Sequence, residues 1–341
     1  MDFEPGTPAQ LVLDGLRAWL AAPAEPEPLV VETSGSTGIP KRVRLSRRAV
    51  LASVSATERR LGGSGRWVLA VPPTYVAGLQ VICRSLVAGH EPVLVEHASL
   101  VTALGAAPST TDTFLSLVPT QLHRLLDDPA SVAVLRGVHT ILLGGGPIDP
   151  SLRGRAAEEG LRVVATYGSA ETAGGCVYDG YPLDDVGVRV DDEGRIRISG
   201  PTLFDGYDGD PVLTSRALVD GWFLTSDAGR LDDDGRLHVL GRIDDVVVSG
   251  GVNVPLPAVA ARLRAHPDLA AAEVVGVPDE EWGQRVVAFV VSTAPVSLAE
   301  VRDWVSETHP RSWAPREVVP VEELPMLDNG KVDRMALREL A

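Results

Sequence analysis

Between residues 29 and 165 the chain alternates short β-branched runs with stretches of helical periodicity, and this alternation constrains the fold more than any other feature. Residues 29–31, 43–45, 68–71, 93–95, 114–118, 141–143 and 163–165 read as buried strands. Ser46 caps a helix carrying Val50, Leu51, Val54 and Leu61 on one side. Asp149 is placed as the N-cap of a helix over 149–160, with Pro150 as its first helical residue. Strands separated by helices build α/β layers around a largely parallel sheet. Residues 189–239 switch to a β-rich, turn-rich pattern, with Asp-Gly at 205–206, 220–221 and 234–235. After Gly241 the pattern predicts a helix around 257–265 and strands at 272–277 and 286–291. A capping box of Ser297 and Glu300 then starts a helix running to about Thr308, and a last strand follows at 317–321. The expectation is an α/β chain. A large N-terminal domain with layered sheets spans residues 1–243, and a small, mobile C-terminal α+β domain spans 244–341, the two joined by a hinge. A length of 341 residues suits two domains.

Composition excludes several classes. The formal net charge of −15 argues against nucleic-acid or anionic-membrane partners, which need clustered cations. The charge-free stretch 67–83 comes closest to a membrane span but is interrupted by two prolines, a glycine and a glutamine. The acidic start of the chain shows no signal peptide, and Cys83 and Cys176 alone cannot build a disulfide framework. A soluble, cytoplasmic protein is expected, with a small molecule rather than a polymer as its partner and oligomerisation left open.

Lysine occurs only at Lys41 and Lys331; the other 29 of 31 cations are arginines. Under a bias toward arginine, a retained lysine marks a place where a compact ammonium is needed, although two chance survivors would give the same count. Lys41 closes the run Thr33-Ser34-Gly35-Ser36-Thr37-Gly38-Ile39-Pro40-Lys41, set between two strands. Its glycines let backbone approach a ligand, and its four hydroxyls and lysine supply donors suited to a polyphosphate. The spacing is not that of a Walker A loop, and a strand follows where a helix should.

This run resembles the phosphate loop of the adenylate-forming superfamily, which includes acyl-CoA and aryl-CoA ligases, luciferases and peptide-synthetase adenylation domains. Further segments match in order. Gly144-Gly145-Gly146-Pro147 resembles the loop lining the adenine site. Tyr167-Gly168-Ser-Ala-Glu171-Thr172 resembles Y-G-x-T-E, which implies a tyrosine on adenine and a glutamate that helps hold Mg²⁺. Trp222-Phe-Leu-Thr-Ser-Asp227 resembles the segment whose aspartate binds ribose hydroxyls. Gly241-Arg242-Ile-Asp244 resembles the hinge whose arginine also reaches ribose. Asn329-Gly330-Lys331 resembles the segment carrying the adenylation lysine. The resemblance implies ATP, Mg²⁺ and coenzyme A as cofactors or co-substrates. Lys331 would serve the α-phosphate and Lys41 the leaving pyrophosphate, since two anions must be brought together.

The departures are specific. Ala170 stands where the family carries threonine, and Ser226 replaces a glycine. Tyr75 sits where many relatives have histidine beside the acyl pocket. Gly250-Gly251-Val-Asn-Val254 keeps the two glycines of G-G-E-N-I, counted among the binding positions, but not its glutamate. The compact layout resembles a subgroup of ligases that activate o-succinylbenzoate in menaquinone synthesis. Tyr75, Gly78 and Arg84 are the implied substrate-side residues, with Arg84 placed on the distal carboxylate. Another aryl- or acyl-CoA ligase, a stand-alone adenylation domain loading a carrier protein, and a non-catalytic nucleotide-binding protein are the alternatives.

Overall fold

In chain order the first part of the protein forms helix α1 (Ala9–Ala21), strands β1 (Leu29–Glu32) and β2 (Arg42–Leu45), helix α2 (Arg47–Leu61), strand β3 (Arg66–Leu69) and helix α3 (Val76–Val87). Strands β4 (Val93–Leu94), β5 (Thr113–Leu117), β6 (Thr140–Leu143), β7 (Val163–Ser169), β8 (Gly174–Tyr178) and β9 (Tyr181–Pro182) follow. These elements come from a computed structural model that describes residues 1–33, 40–95, 100–105, 111–327 and 332–341. Two compact units emerge. The larger comprises Met1–Arg189, Arg197–Thr225 and Asp232–Leu237; the smaller comprises Val190–Ile196, Ser226–Leu231 and His238–Ala341.

The larger unit is built on a seven-stranded sheet ordered β4-β3-β5-β6-β7-β8-β9. From β4 to β7 the pairings are parallel, and from β7 to β9 they are antiparallel. β5 and β6 are buried along their whole length, as the unbroken apolar runs require. Leu115, Leu117, Ile141 and Leu143 pack against Leu122, Leu135, Leu152 and Ala156 from the covering helices. Ser46 caps α2 as expected, its hydroxyl accepting from Ala49 N at 3.3 Å, and Val50, Val54 and Leu61 are buried. Leu51 is not: one residue on from Val50 it lies about 100° round the helix and is 36% exposed. Asp149 caps the helix Pro150–Glu158 through Ser151 N at 2.8 Å. A separate three-stranded sheet runs β1-β2 and then the short strand Gly206–Tyr207, all antiparallel.

The β-rich stretch contains Gly187–Val190, Arg195–Ser199, Trp222–Leu231 and Leu237–Arg242. Its Asp220-Gly221 turn has both residues at positive φ, the geometry of a two-residue hairpin. In the smaller unit the long strands Leu269–Asp279 and Gly283–Ser292 pair antiparallel, and Glu317–Pro320 adds in parallel. Alternation divides their two faces. Val274, Val286, Ala288 and Val290 meet the helices Leu256–Arg264 and Leu298–Ser306, while Val275, Val287 and Phe289 meet Leu337. The Ser297–Glu300 capping box forms with both bonds present. Buried Glu273 is paired with Arg334 at 3.0 Å and Arg264 at 3.5 Å, and Arg334 also reaches Asp245 at 2.6 Å. Among the described residues no helix is long and apolar enough to cross a membrane.

Candidate active site

The loops after β5, β6 and β7 converge at the carboxyl end of the parallel sheet, where α/β sheets collect ligands. Gly144 ends β6 so close to β7 that a Cβ there would lie 2.3 Å from Thr166 Oγ1. Gly145 follows at φ +78°, beside Val118 from the loop after β5, and Gly146 is open. At Gly168 a Cβ would lie 2.2 Å from the Gly174 carbonyl oxygen of β8, so this close strand pairing demands glycine. Tyr167 pairs with Val177 in the same ladder and is half-buried.

Beyond β7 a single 3₁₀ turn, Ala170–Thr172, carries Glu171, which is 7% exposed. Tyr207 donates its hydroxyl to Glu171 Oε1 at 2.9 Å. Burial, reinforced by the neighbouring carboxylate, raises the Tyr207 phenol above its ordinary range, so it stays a donor. Phe204 N donates to the Glu171 carbonyl at 2.9 Å, and Phe204 packs edge-on against Tyr207 and Phe223. The Thr172 hydroxyl is engaged internally, with Ser169 N at 2.9 Å and the Gly174 carbonyl at 2.7 Å; it shapes the turn. Ala173 leaves the turn at φ 50°, an uncommon conformation for a side chain with a Cβ. Its carbonyl is held by Ser53 Oγ at 3.1 Å and Gln80 Nε2 at 2.7 Å.

Lys41 reaches the same place from the three-stranded sheet. Thr33 N donates to the Lys41 carbonyl at 2.9 Å, and Lys41 N donates to Thr33 Oγ1 at 3.2 Å, closing the base of the hairpin that carries the glycine-rich loop. Next to it β2 pairs with Gly206–Tyr207, and Lys41 Nζ stands 5.5 Å from the Tyr207 ring centroid. The structure thus brings Lys41 and Glu171 to two sides of one tyrosine. Ser34, Gly35, Ser36, Thr37, Gly38 and Lys331, all expected to be ligand-facing, lie outside the described residues.

On the acyl side, Tyr75 precedes α3 and is half-buried. Gly78 allows α3 to touch the Pro72 carbonyl, since a Cβ would lie 2.1 Å from that oxygen. Arg84 is not brought to them. Nine residues further along α3, about 13 Å at 1.5 Å per residue, it is 6% exposed, with its guanidinium 4.9 Å from the Trp67 ring. Trp67 is the second residue of the parallel strand β3, near the end remote from the converging loops, and Nη2 of Arg84 has only a long 3.4 Å contact to the Tyr178 hydroxyl. Arg84, expected at a distal carboxylate, is here a buried cation packed on the Trp67 ring.

The remaining expected residues belong to the smaller unit. Asp227 is half-buried in Trp222–Leu231, and Arg242 closes Leu237–Arg242. Asp244 lies in the 3₁₀ turn Ile243–Asp245 that follows. Gly250 and Gly251, at φ 58° and 77°, turn the hairpin between Val246–Ser249 and Val252–Pro255, and a Cβ on Gly250 would strike the Trp282 ring at 2.6 Å. Tyr207, Ser53 and Gln80 were not singled out by the sequence. Their partners lie 36, 120 and 93 residues away, and no local motif carries such information.

Among the described residues the arrangement offers one buried carboxylate and one lysine to a polyphosphate. No cluster of three or more metal-ligating side chains occurs among the described residues. A lone carboxylate fits Mg²⁺ carried in on phosphate oxygens, since Mg²⁺ uses one or two carboxylates together with substrate phosphates and water.

Two family models match the chain. The AMP-binding enzyme family matches residues 29–208, and the AMP-binding enzyme C-terminal domain matches residues 258–331. A probable 2-succinylbenzoate–CoA ligase of Mycobacterium tuberculosis is 44% identical over 323 residues, covering 91% of this chain and 83% of the relative. The o-succinylbenzoate CoA synthetase of Bacillus subtilis, crystallised with its acyl-adenylate intermediate, is 29% identical with a TM-score of 0.80, covering 91% of this chain and 68% of that one. The same enzyme has been solved with ATP and magnesium ion. The amide bond synthetase McbA of Marinactinospora thermotolerans is 29% identical with a TM-score of 0.81, covering 92% and 69%.

Proposed function

The chain belongs to the AMP-binding, adenylate-forming enzymes, and from that premise we propose that it is an o-succinylbenzoate–CoA ligase of menaquinone synthesis. The observation that carries the reading is the buried Glu171 set across Tyr207 from Lys41, at the end of a strand whose loop matches this family. The similarity to 2-succinylbenzoate–CoA ligases along nine-tenths of the chain supports the substrate.

In the first half-reaction a carboxylate oxygen of the acid attacks the α-phosphorus of ATP, the bond to the β-phosphate oxygen breaks, and pyrophosphate leaves. In the second, the sulfur of coenzyme A attacks the acyl carbon, its proton is lost, and AMP leaves with the bridging oxygen. Lys41, with the hydroxyls of the loop it closes, neutralises the departing pyrophosphate, and Lys331 stabilises charge at the α-phosphate. Glu171 would hold Mg²⁺, which would supply charge neutralisation at the phosphate oxygens. Tyr167 and Gly144–Gly146 receive the adenine, and Asp227 and Arg242 bind the ribose hydroxyls. Asp244 is the pivot about which residues 244–341 turn between the two half-reactions, with Gly250 and Gly251 on the hairpin that follows it. Tyr75 and Gly78 shape the acyl side. Coenzyme A is the acceptor in this reading, although the likeness to an amide bond synthetase makes an amine the second acceptor to assay.

Acid-dependent exchange of labelled pyrophosphate into ATP tests the first half-reaction. The expected result is rapid exchange with o-succinylbenzoate and none without an acid. Release of ADP and phosphate in place of AMP and pyrophosphate would overturn the reading.

A further inference from the structure

Lys41 and Glu171 carry opposite charges on neighbouring elements, yet no ion pair joins them among the described residues; each is engaged instead by Tyr207. The two charges meet different parts of the same side chain, its ring face and its hydroxyl. The ring face is 5.5 Å from the lysine ammonium, within the range of a cation–π contact, and the hydroxyl is bonded to Glu171 Oε1. The tyrosine is itself held firmly. Its N–H donates to Thr214 Oγ1 at 2.8 Å, its flanking residues Asp205 and Asp208 donate backbone N–H bonds to the Arg44 and Arg42 carbonyls, and Phe204 braces the ring. Gly206, which sets up this approach, adopts φ 138° and lies so close to Thr214 that a Cβ would meet its methyl at 2.7 Å.

We infer that Tyr207 is a positioning residue that keeps Lys41 and Glu171 apart, each available to MgATP rather than neutralised by the other. A direct lysine–glutamate pair would cancel the cation meant for phosphate and occupy the carboxylate meant for the metal. Tyr207 prevents this in two ways. Its hydroxyl engages one carboxylate oxygen, and its ring face holds the ammonium by a cation–π contact. The hydroxyl is tied to the metal-side group and the ring to the phosphate-side group, so removing each has a different signature. This inference rests on the reading that the site takes MgATP.

The test is binding, measured by calorimetry on the full chain with three ligands: MgATP, ATP in chelator, and AMP. Wild-type protein should prefer MgATP over metal-free ATP. Tyr207→Phe, which keeps the ring and loses the hydroxyl, should weaken MgATP about tenfold, the scale of a hydrogen bond to a charged group, and leave AMP unchanged. Raising Mg²⁺ should recover the lost affinity. Tyr207→Leu removes the spacer as well and should also weaken metal-free ATP, because Lys41 then turns to Glu171. Equal affinity of Tyr207→Phe and wild type for MgATP, or parallel losses for MgATP and AMP, would overturn the inference. A wild-type protein indifferent to Mg²⁺ would instead overturn the reading on which it rests, and the inference with it. Because Tyr207→Phe loses one oxygen and no packing volume, a retained cooperative melting transition with AMP binding intact separates positioning from loss of fold.

Discussion

Arg84 shows how the same residue reads differently in one dimension and in three. In the sequence it is a cation a few residues after Gly78, within plausible reach of a substrate carboxylate. In the fold it is a buried guanidinium against Trp67, with no carboxylate within ion-pair distance among the described residues. Its Nε is buried without an acceptor, so the charge itself contributes little to stability while its packing contributes much. Arg84→Ala should therefore destabilise the protein by about 2–4 kcal/mol, the scale of emptying a large buried site. Arg84→Met, which refills most of the volume without the charge, should cost less. Denaturant unfolding of both variants checks the ranking. The Michaelis constants for ATP and the acid should stay at wild-type values, and a selective rise for the acid would restore Arg84 to the substrate.

At the scale of elements, the two cysteines report how tightly α3 and β8 are packed. Cys83 on α3 and Cys176 on β8 are fully buried, and burial pushes both thiols up to about 12 from an ordinary 9.0. A thiol whose pKa is higher folded than unfolded keeps its contribution to stability below the unfolded value. That contribution is lost as pH rises from about 9 through 12, because the unfolded chain releases its proton first. Native protein should leave a thiol reagent unreacted at neutral pH and bind two equivalents once denatured, and its denaturation midpoint should fall above about pH 9. Prompt labelling of native protein would show that these elements open locally. The same elements show what was legible in the sequence. The parallel core strands were placed to within a residue or two because continuous apolar runs leave few alternatives. The apolar run predicts β7 over residues 163–165, yet it continues to Ser169, because Gly168 lowers strand propensity while the 2.2 Å approach of the Gly174 carbonyl requires it. The hairpin over residues 246–255 was similarly read as a motif and not as two strands. Local signals identified Glu171 and Lys41, but the tyrosine joining them is a tertiary feature without a local signature.

The whole molecule serves one chemical sequence, activation of a dicarboxylic aromatic acid as its adenylate and capture by coenzyme A. The six motif segments spread over residues 33–331 made the family legible, because chance rarely orders them all. The acid is less legible, since the residues that would recognise it form no contiguous motif. Competition between acids in the complete reaction tests the claim most directly. With ATP, Mg²⁺ and coenzyme A present, the thioester and AMP formed from o-succinylbenzoate are measured against those from benzoate and a medium-chain fatty acid. A site built for the second carboxylate leaves polar groups unpaired when it is missing, so o-succinylbenzoate should be preferred by 10³-fold or more in kcat/KM, about 4 kcal/mol. Equal use of benzoate, or no thioester from o-succinylbenzoate at all, would contradict the account.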